Sequence, residues 1–237
     1  MKTYLIPILI PVLLSASGAM AAEGDDSFKL SGSIGLGALL TDESGRAKDL
    51  AKYNEYRDLG TGAIGTFDIK GRSSNYYLDV FGENLGRDDQ YLDMKGGQYT
   101  IFKYQLYDNR IIHNWAFDAR APYSGVGGTM LTGTFPNLNS GTWDNFDLQQ
   151  RRNDLGGMFE MSNNSPWFVR VDANQVTDQG LKLIGGSNST SPGGGFIDKP
   201  LPVDTVTKNT SVEGGYASKT AQLSASLLYS KFENSKD

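Results

Sequence analysis

The sequence predicts an all-β chain, the incomplete N-terminal portion of a larger transmembrane antiparallel outer-membrane β-barrel. Three observations predict it: an apolar leader that ends in small residues, repeated segments in which apolar and polar residues alternate, and connections that alternate in length.

The leader comes first. Lys2 precedes an apolar run from Tyr4 to Leu14, and Ala19-Met20-Ala21 offers a small-residue cleavage site before Ala22. This layout predicts a signal peptide over residues 1–21 and export of the remainder. The run is too short to span a bilayer, and Pro7 and Pro11 interrupt it. Lys2 is the only charged residue in the leader, so the exported part carries 21 basic and 27 acidic residues, a net charge of −6. An acidic balance with no basic cluster excludes a nucleic-acid partner. The chain has no cysteine, which excludes disulfides, thiolate metal sites and a Cys-x-x-Cys-His haem attachment of its own.

Alternation begins at Phe28. Phe28, Leu30, Ile34, Leu36 and Ala38 share one face, and Lys29, Ser31, Ser33 and Gly35 share the other. Eight similar segments follow: Ala63 to Ile69, Tyr76 to Gly82, Gln90 to Lys95, Tyr99 to Leu106, Leu155 to Met161, Trp167 to Ala173, Val206 to Tyr216, and Ala221 to Phe232. In the last, Ala221, Leu223, Ala225, Leu227 and Tyr229 oppose Thr220, Gln222, Ser224 and Ser226. In the segment at Trp167, Val169, Val171 and Ala173 oppose the charged or polar Arg170, Asp172 and Asn174, as expected of a wall between lipid and water.

The connections sort by length. Longer stretches begin at Thr41, Asn84, Asp108 and Thr177; short turns are expected at Gly71 to Ser74, Gly96-Gly97, Ser162 to Pro166 and near Ser218. If the N-terminus starts in the periplasm, the four longer connections face outward. Tyr76, Tyr77, Tyr99, Tyr107, Trp167, Tyr216, Tyr229 and Phe232 lie near strand ends and suit interfacial girdles. A secreted β-sandwich would also repeat short strands, but strand length and loop alternation favour the barrel. About nine strands in residues 22–237 is an odd number, whereas single-chain bacterial barrels close with an even one, hence the expectation of an incomplete barrel.

Two blocks go beyond pattern. The first is Lys52-Tyr53-Asn54-Glu55-Tyr56-Arg57-Asp58-Leu59. The second runs from Tyr76 to Gly128 and contains NLGRDDQ (Asn84, Leu85, Gly86, Arg87, Asp88, Asp89, Gln90), KYQLYD, HN (His113, Asn114) and PYSGVG, which begins at Pro122, Tyr123, Ser124 and Gly125. With the later run LPVDTVTKNTSVEGGYASKTAQLSASLLYSKFEN, these blocks resemble the MtrB/PioB family of outer-membrane porins. The resemblance implies a barrel whose lumen houses a periplasmic multihaem c-type cytochrome and holds it against an outer-surface multihaem cytochrome. Electrons then cross the outer membrane in metal reduction or iron oxidation. It also implies that haem c is carried by the partners and that this chain binds no cofactor. Some members carry a Cys-x-x-Cys pair near the mature N-terminus; this chain has none.

A sheath has no bond to make or break, so no catalytic residue is expected. Alternation alone assigns Lys29, Asp79, Glu83, Arg170, Asp172 and Asn174 to the lumen as candidate cytochrome contacts, with a solvated wall as the plainer reading. His113 is the only histidine and is expected to make a structural hydrogen bond rather than bind a metal. Asp88 and Asp89 lack calcium-loop spacing, and Gly125-Val126-Gly127-Gly128 lacks the Lys and Ser/Thr of a phosphate loop. A general diffusion porin is the alternative function. An outer-membrane hydrolase would have only His113 and Ser124 to work with, and no nucleophile motif surrounds Ser124.

Overall fold

The computed structural model describes residues 27–41, 54–58, 60–133, 139–187 and 196–236. The expected signal peptide lies outside the described residues. Nine strands form: β1 (Lys29–Leu39), β2 (Gly62–Arg72), β3 (Tyr76–Glu83), β4 (Tyr91–Gln98), β5 (Phe102–Ala121), β6 (Asp144–Met161), β7 (Trp167–Ser187), β8 (Phe196–Ala217) and β9 (Gln222–Asn234). Each pairs antiparallel with its sequence neighbour, giving one sheet in the order β1 to β9. Among the described residues the outer edges of β1 and β9 carry no ladder.

Residues directly opposed in a ladder share a face, so the registers carry one parity through the whole sheet. Starting from Leu30, Ile34 and Leu36, the same face holds Phe67 and Ile69, then Leu78 and Val80, Leu92 and Met94, Tyr104 and Leu106, and Phe159 and Leu155. It continues through Val169 and Val171, Val212 and Tyr216, to Leu223, Leu227 and Tyr229. These side chains touch only neighbours in the same sheet, and no second layer covers them: Leu223 is 75% exposed, Leu227 80% and Trp167 64%. Among the described residues the buried apolar side chains are Ile112, Ala121, Tyr123 and Leu148, in the half of β5 and β6 nearest their connection or in that connection, and Pro200 in β8. A sheet whose apolar face is exposed or half-exposed on every strand needs an apolar solvent on that face, and hydrocarbon supplies it.

Short turns close one end of the sheet, at residues 73–75, 99–101, 162–166 and 218–221. Two of them are tied together: Thr100, at φ 62°, offers its carbonyl to the Ser162 hydroxyl at 3.0 Å and to the Asn164 amide at 2.8 Å.

The structure corrects three expectations. Gly96 and Gly97 are not a turn. They lie inside β4, where a Cβ on Gly96 would meet the Tyr104 hydroxyl at 2.5 Å and one on Gly97 the Phe102 carbonyl at 2.2 Å, so close approach rather than chain reversal requires them. The stretches beginning at Asp108 and Thr177 are largely strand, since β5, β6, β7 and β8 run 18 to 22 residues and project beyond the apolar belt. Of the expected girdle residues, Tyr76, Trp167, Tyr216 and Tyr229 lie on the apolar face, but Tyr77, Tyr107 and Phe232 have the opposite parity and face the polar side.

Candidate functional site

The second face is polar and largely self-bonded. On β2 to β5, Arg72 pairs with Asp79 at 2.7 Å, Lys95 with Asp93 at 2.7 Å, and Gln105 donates to Asp93 at 2.7 Å. On β5 to β8, Lys103 and Arg170 converge on Glu160 at 2.9 and 2.6 Å, and Arg170 reaches Glu213 at 3.7 Å. Further along, Tyr107 and Asn174 donate to Asp154 at 3.3 and 2.8 Å. Asn209 donates to Asn174 at 2.9 Å, and Ser230 to Asn209 at 2.7 Å. Alternation produces this face directly, because each bonding residue sits one position from a lipid-facing one.

The lumen candidates all fall on it. Asp79 and Arg170 are ion-paired, Asn174 joins the amide ladder, and Asp172 accepts from Ser211 at 3.4 Å. Lys29 and Glu83 are exposed at opposite ends of the face.

The sequence blocks converge elsewhere, at the end of the sheet with the long connections. β4 pairs with β5 only as far as Tyr91 opposite Asn109, leaving the rest of that edge of β5 open. Residues 54–58 and the β3–β4 loop fill it. The Arg110 amide donates to the Gln90 carbonyl at 2.9 Å, and the Asn114 amide to the Glu55 carbonyl at 2.8 Å. Asn114, only 2% exposed, donates its side-chain amide to the Asn54 and Arg57 carbonyls at 2.6 and 3.1 Å and accepts from Gln149 at 2.6 Å.

Arg87 is the second fastening. Its guanidinium, 6% exposed, donates to the Asp58 carboxylate at 2.9 Å, to the Gly60 carbonyl at 2.8 Å and to the Asp58 carbonyl. The Asp88 amide donates to the other Asp58 oxygen at 3.1 Å, and the Asp88 carboxylate pairs with Arg151 at 2.9 Å. The loop that aims Arg87 needs two left-handed residues, Asn84 at φ 52° and Gly86 at φ 80°. Gln90 pins it by accepting from the Gly86 amide at 2.8 Å and donating to Asp108 at 2.8 Å, and the Leu85 side chain lies over Gly65. Asp89 accepts from Asn84 at 3.1 Å; burial, aided by the charge of Asp58, raises its pKa above the usual carboxylate range.

His113 is in β5, not in a loop. Its Nε2 lies 3.1 Å from Glu55, and its ring stacks on Tyr56 at 4.6 Å and meets Trp115 at a tilt at 3.9 Å. Among the described residues no group of three His, Cys, Asp or Glu side chains could hold a metal ion. Ser124 forms a bridge with Thr132 across a tight loop that contains Gly125 at φ 85°; Tyr123 beside it is buried, and Pro122 is partly buried. Asp118 and Arg120 form a local pair at 3.8 Å. The sequence reading missed Asp58 as the anchor for Arg87, and Gln149 as a partner of Asn114. Both partnerships join residues about thirty positions apart, and no spacing rule reports them.

An antiparallel sheet with one exposed apolar face and one bonded polar face, tight turns at one end and long hairpins at the other, is the wall of an outer-membrane β-barrel porin. The model of the outer-membrane beta-barrel porin family MtrB/PioB matches residues 43–237, and the chain belongs to that family. No curated protein matches the chain.

Proposed function

We propose that this porin is a sheath: its lumen holds a periplasmic multihaem c-type cytochrome and couples it to a multihaem cytochrome on the outer surface, for extracellular electron transfer. Export follows from the leader at residues 1–21, and the tight turns lie on the periplasmic side. The observation that carries the reading is the polar face. Its charges are largely neutralised by neighbours within the wall, as in Lys103–Glu160–Arg170–Glu213, so it offers a fixed surface of hydrogen-bonding groups to a seated protein. The chain cannot attach haem c, having no cysteine, so the haems belong to the partners. The wall's work is passive: it excludes lipid, fixes the position of the conductor and closes the polar path to side reactions. No residue is assigned a catalytic step.

The test is co-purification. Detergent-solubilised full-length protein is expected to bring down a haem-staining polypeptide in near-equal amount, and the complex is expected to pass electrons across a liposome membrane. A barrel that purifies without haem and conducts small ions when reconstituted is a diffusion porin, and the sheath reading fails.

A further inference from the structure

On the outward face of β7, β8 and β9, the apolar rows end abruptly. Val171, Val212 and Leu227 are followed by Ala173, Thr210 and Tyr229, and the next row is Gln175, Lys208 and Lys231. Lys208 and Lys231 are directly opposed, and both are exposed. Like charges in that position repel. One carboxylate serves both: Glu233 pairs with Lys231 at 2.5 Å and its charge also acts on Lys208, which has no carboxylate within ion-pair distance among the described residues.

The level of the row is informative. Leu223, beside the Trp167–Tyr216 pair whose rings meet edge to face at 5.1 Å, marks the turn end of the belt. From Leu223 to Lys231 is roughly 26 Å along the strand, or about 20 Å along the membrane normal at a tilt near 40°. A lysine stem adds several Å as it reaches for the interface. The two ammonium groups therefore stand at headgroup depth, on the leaflet away from the tight turns. Asp108 occupies the same row three strands beyond β8, with Arg110 bonded to it at 3.0 Å, so the excess of basic over acidic groups, two lysines to the one Glu233, lies on β8 and β9.

We infer that Lys208 and Lys231, with Gln175 beside them, bind a phosphate of the phosphorylated glycolipid in the outer leaflet. The inference rests on the outer-membrane orientation proposed above. A doubly charged phosphate between opposed lysines turns their repulsion into attraction, and the glycolipid's acyl chains would lie along Val212, Leu227 and Tyr229.

The experiment uses full-length protein in detergent micelles, with bis-phosphorylated lipid A as the probe and retained lipid read by native mass spectrometry. The wild type is expected to retain it. The Lys208→Gln/Lys231→Gln protein is expected to lose it by about tenfold, and the double arginine variant to keep it. Heat-modifiable gel migration confirms that each variant folds. Retention by the glutamine variant equal to wild type overturns the proposal, as does equal retention of fully dephosphorylated lipid A or displacement by an equal concentration of inorganic phosphate. Orientation is read separately. Ser218→Cys places a label site in the β8–β9 turn, read against the unsubstituted protein. It is expected to resist an impermeant maleimide in intact cells; labelling there would overturn the orientation, and the glycolipid with it, whatever the lysines do.

Discussion

Arg87 shows what one residue does in this wall. Its guanidinium is almost fully buried and spends its hydrogen bonds on Asp58 and Gly60, in a segment that precedes β2. Removing one partner of such a pair strands the other, at a cost of about 3 kcal/mol. Arg87→Ala is expected to lower the urea midpoint of the folded barrel and to expose residues 54–58 to protease; unchanged proteolysis would show that the contacts of Asn114, His113 and Asp88 suffice to hold the segment. Asp89 adds a dependence on pH. Its folded pKa is raised by burial, so at neutral pH the loop bears the cost of a half-buried charge, and that cost is relieved as pH falls through the raised value towards the ordinary one. Asp89→Asn keeps an acceptor for Asn84. It is expected to protect the loop from protease better than wild type at pH 7, with the difference closing on acidification; an equal advantage at both pH values would assign the effect to something other than this carboxyl.

At the scale of the strand, neighbours have opposite tolerances. Val171 points to lipid and Asp172 to the polar side. Val171→Arg is expected to destabilise the barrel by about 2–4 kcal/mol, whereas Asp172→Arg should fold with little loss. Equal penalties in refolding titrations would mean that the two faces do not meet different solvents. Strands were legible in the sequence where they cross lipid, because hydrocarbon on one side and bonded polar groups on the other force alternation, as in Trp167 to Ala173. Their outer halves were not. Beyond the belt both faces of β7 meet water or other polar groups, and Gln175, Thr177 and Gln179 continue the strand with no apolar signal. Pro200 and Pro202, residues that remove a ladder donor, also sit in β8. β9 pairs with β8 only up to Thr205, so the prolines lie on an edge where a missing donor is tolerated.

For the molecule as a whole, sequence and structure agree on the two-faced sheet and its family, and differ on how the conspicuous blocks are used. Asn54–Asp58, Asn84–Gln90 and His113–Asn114 read as separate motifs, and His113 in particular as part of a connection. Only the folded register brings them to one edge of β5, because β4 stops at Tyr91 while β5 runs on to Ala121. Local patterns report what each residue faces; they are silent about a strand's neighbour being shorter than itself.

That difference in length imposes an order on assembly. Residues 54–58 leave synthesis before any of β2 to β6, yet their partners are Arg87 in the β3–β4 loop, Asn114 on β5 and, through it, Gln149 on β6. The segment therefore finds its partners only once the β3–β4 loop is formed and β5 extends past the end of β4, and it closes over the gap after them. A chain stalled midway carries a loose, polar flap at its rim that any surface protease can find, and a chain that has passed this stage does not.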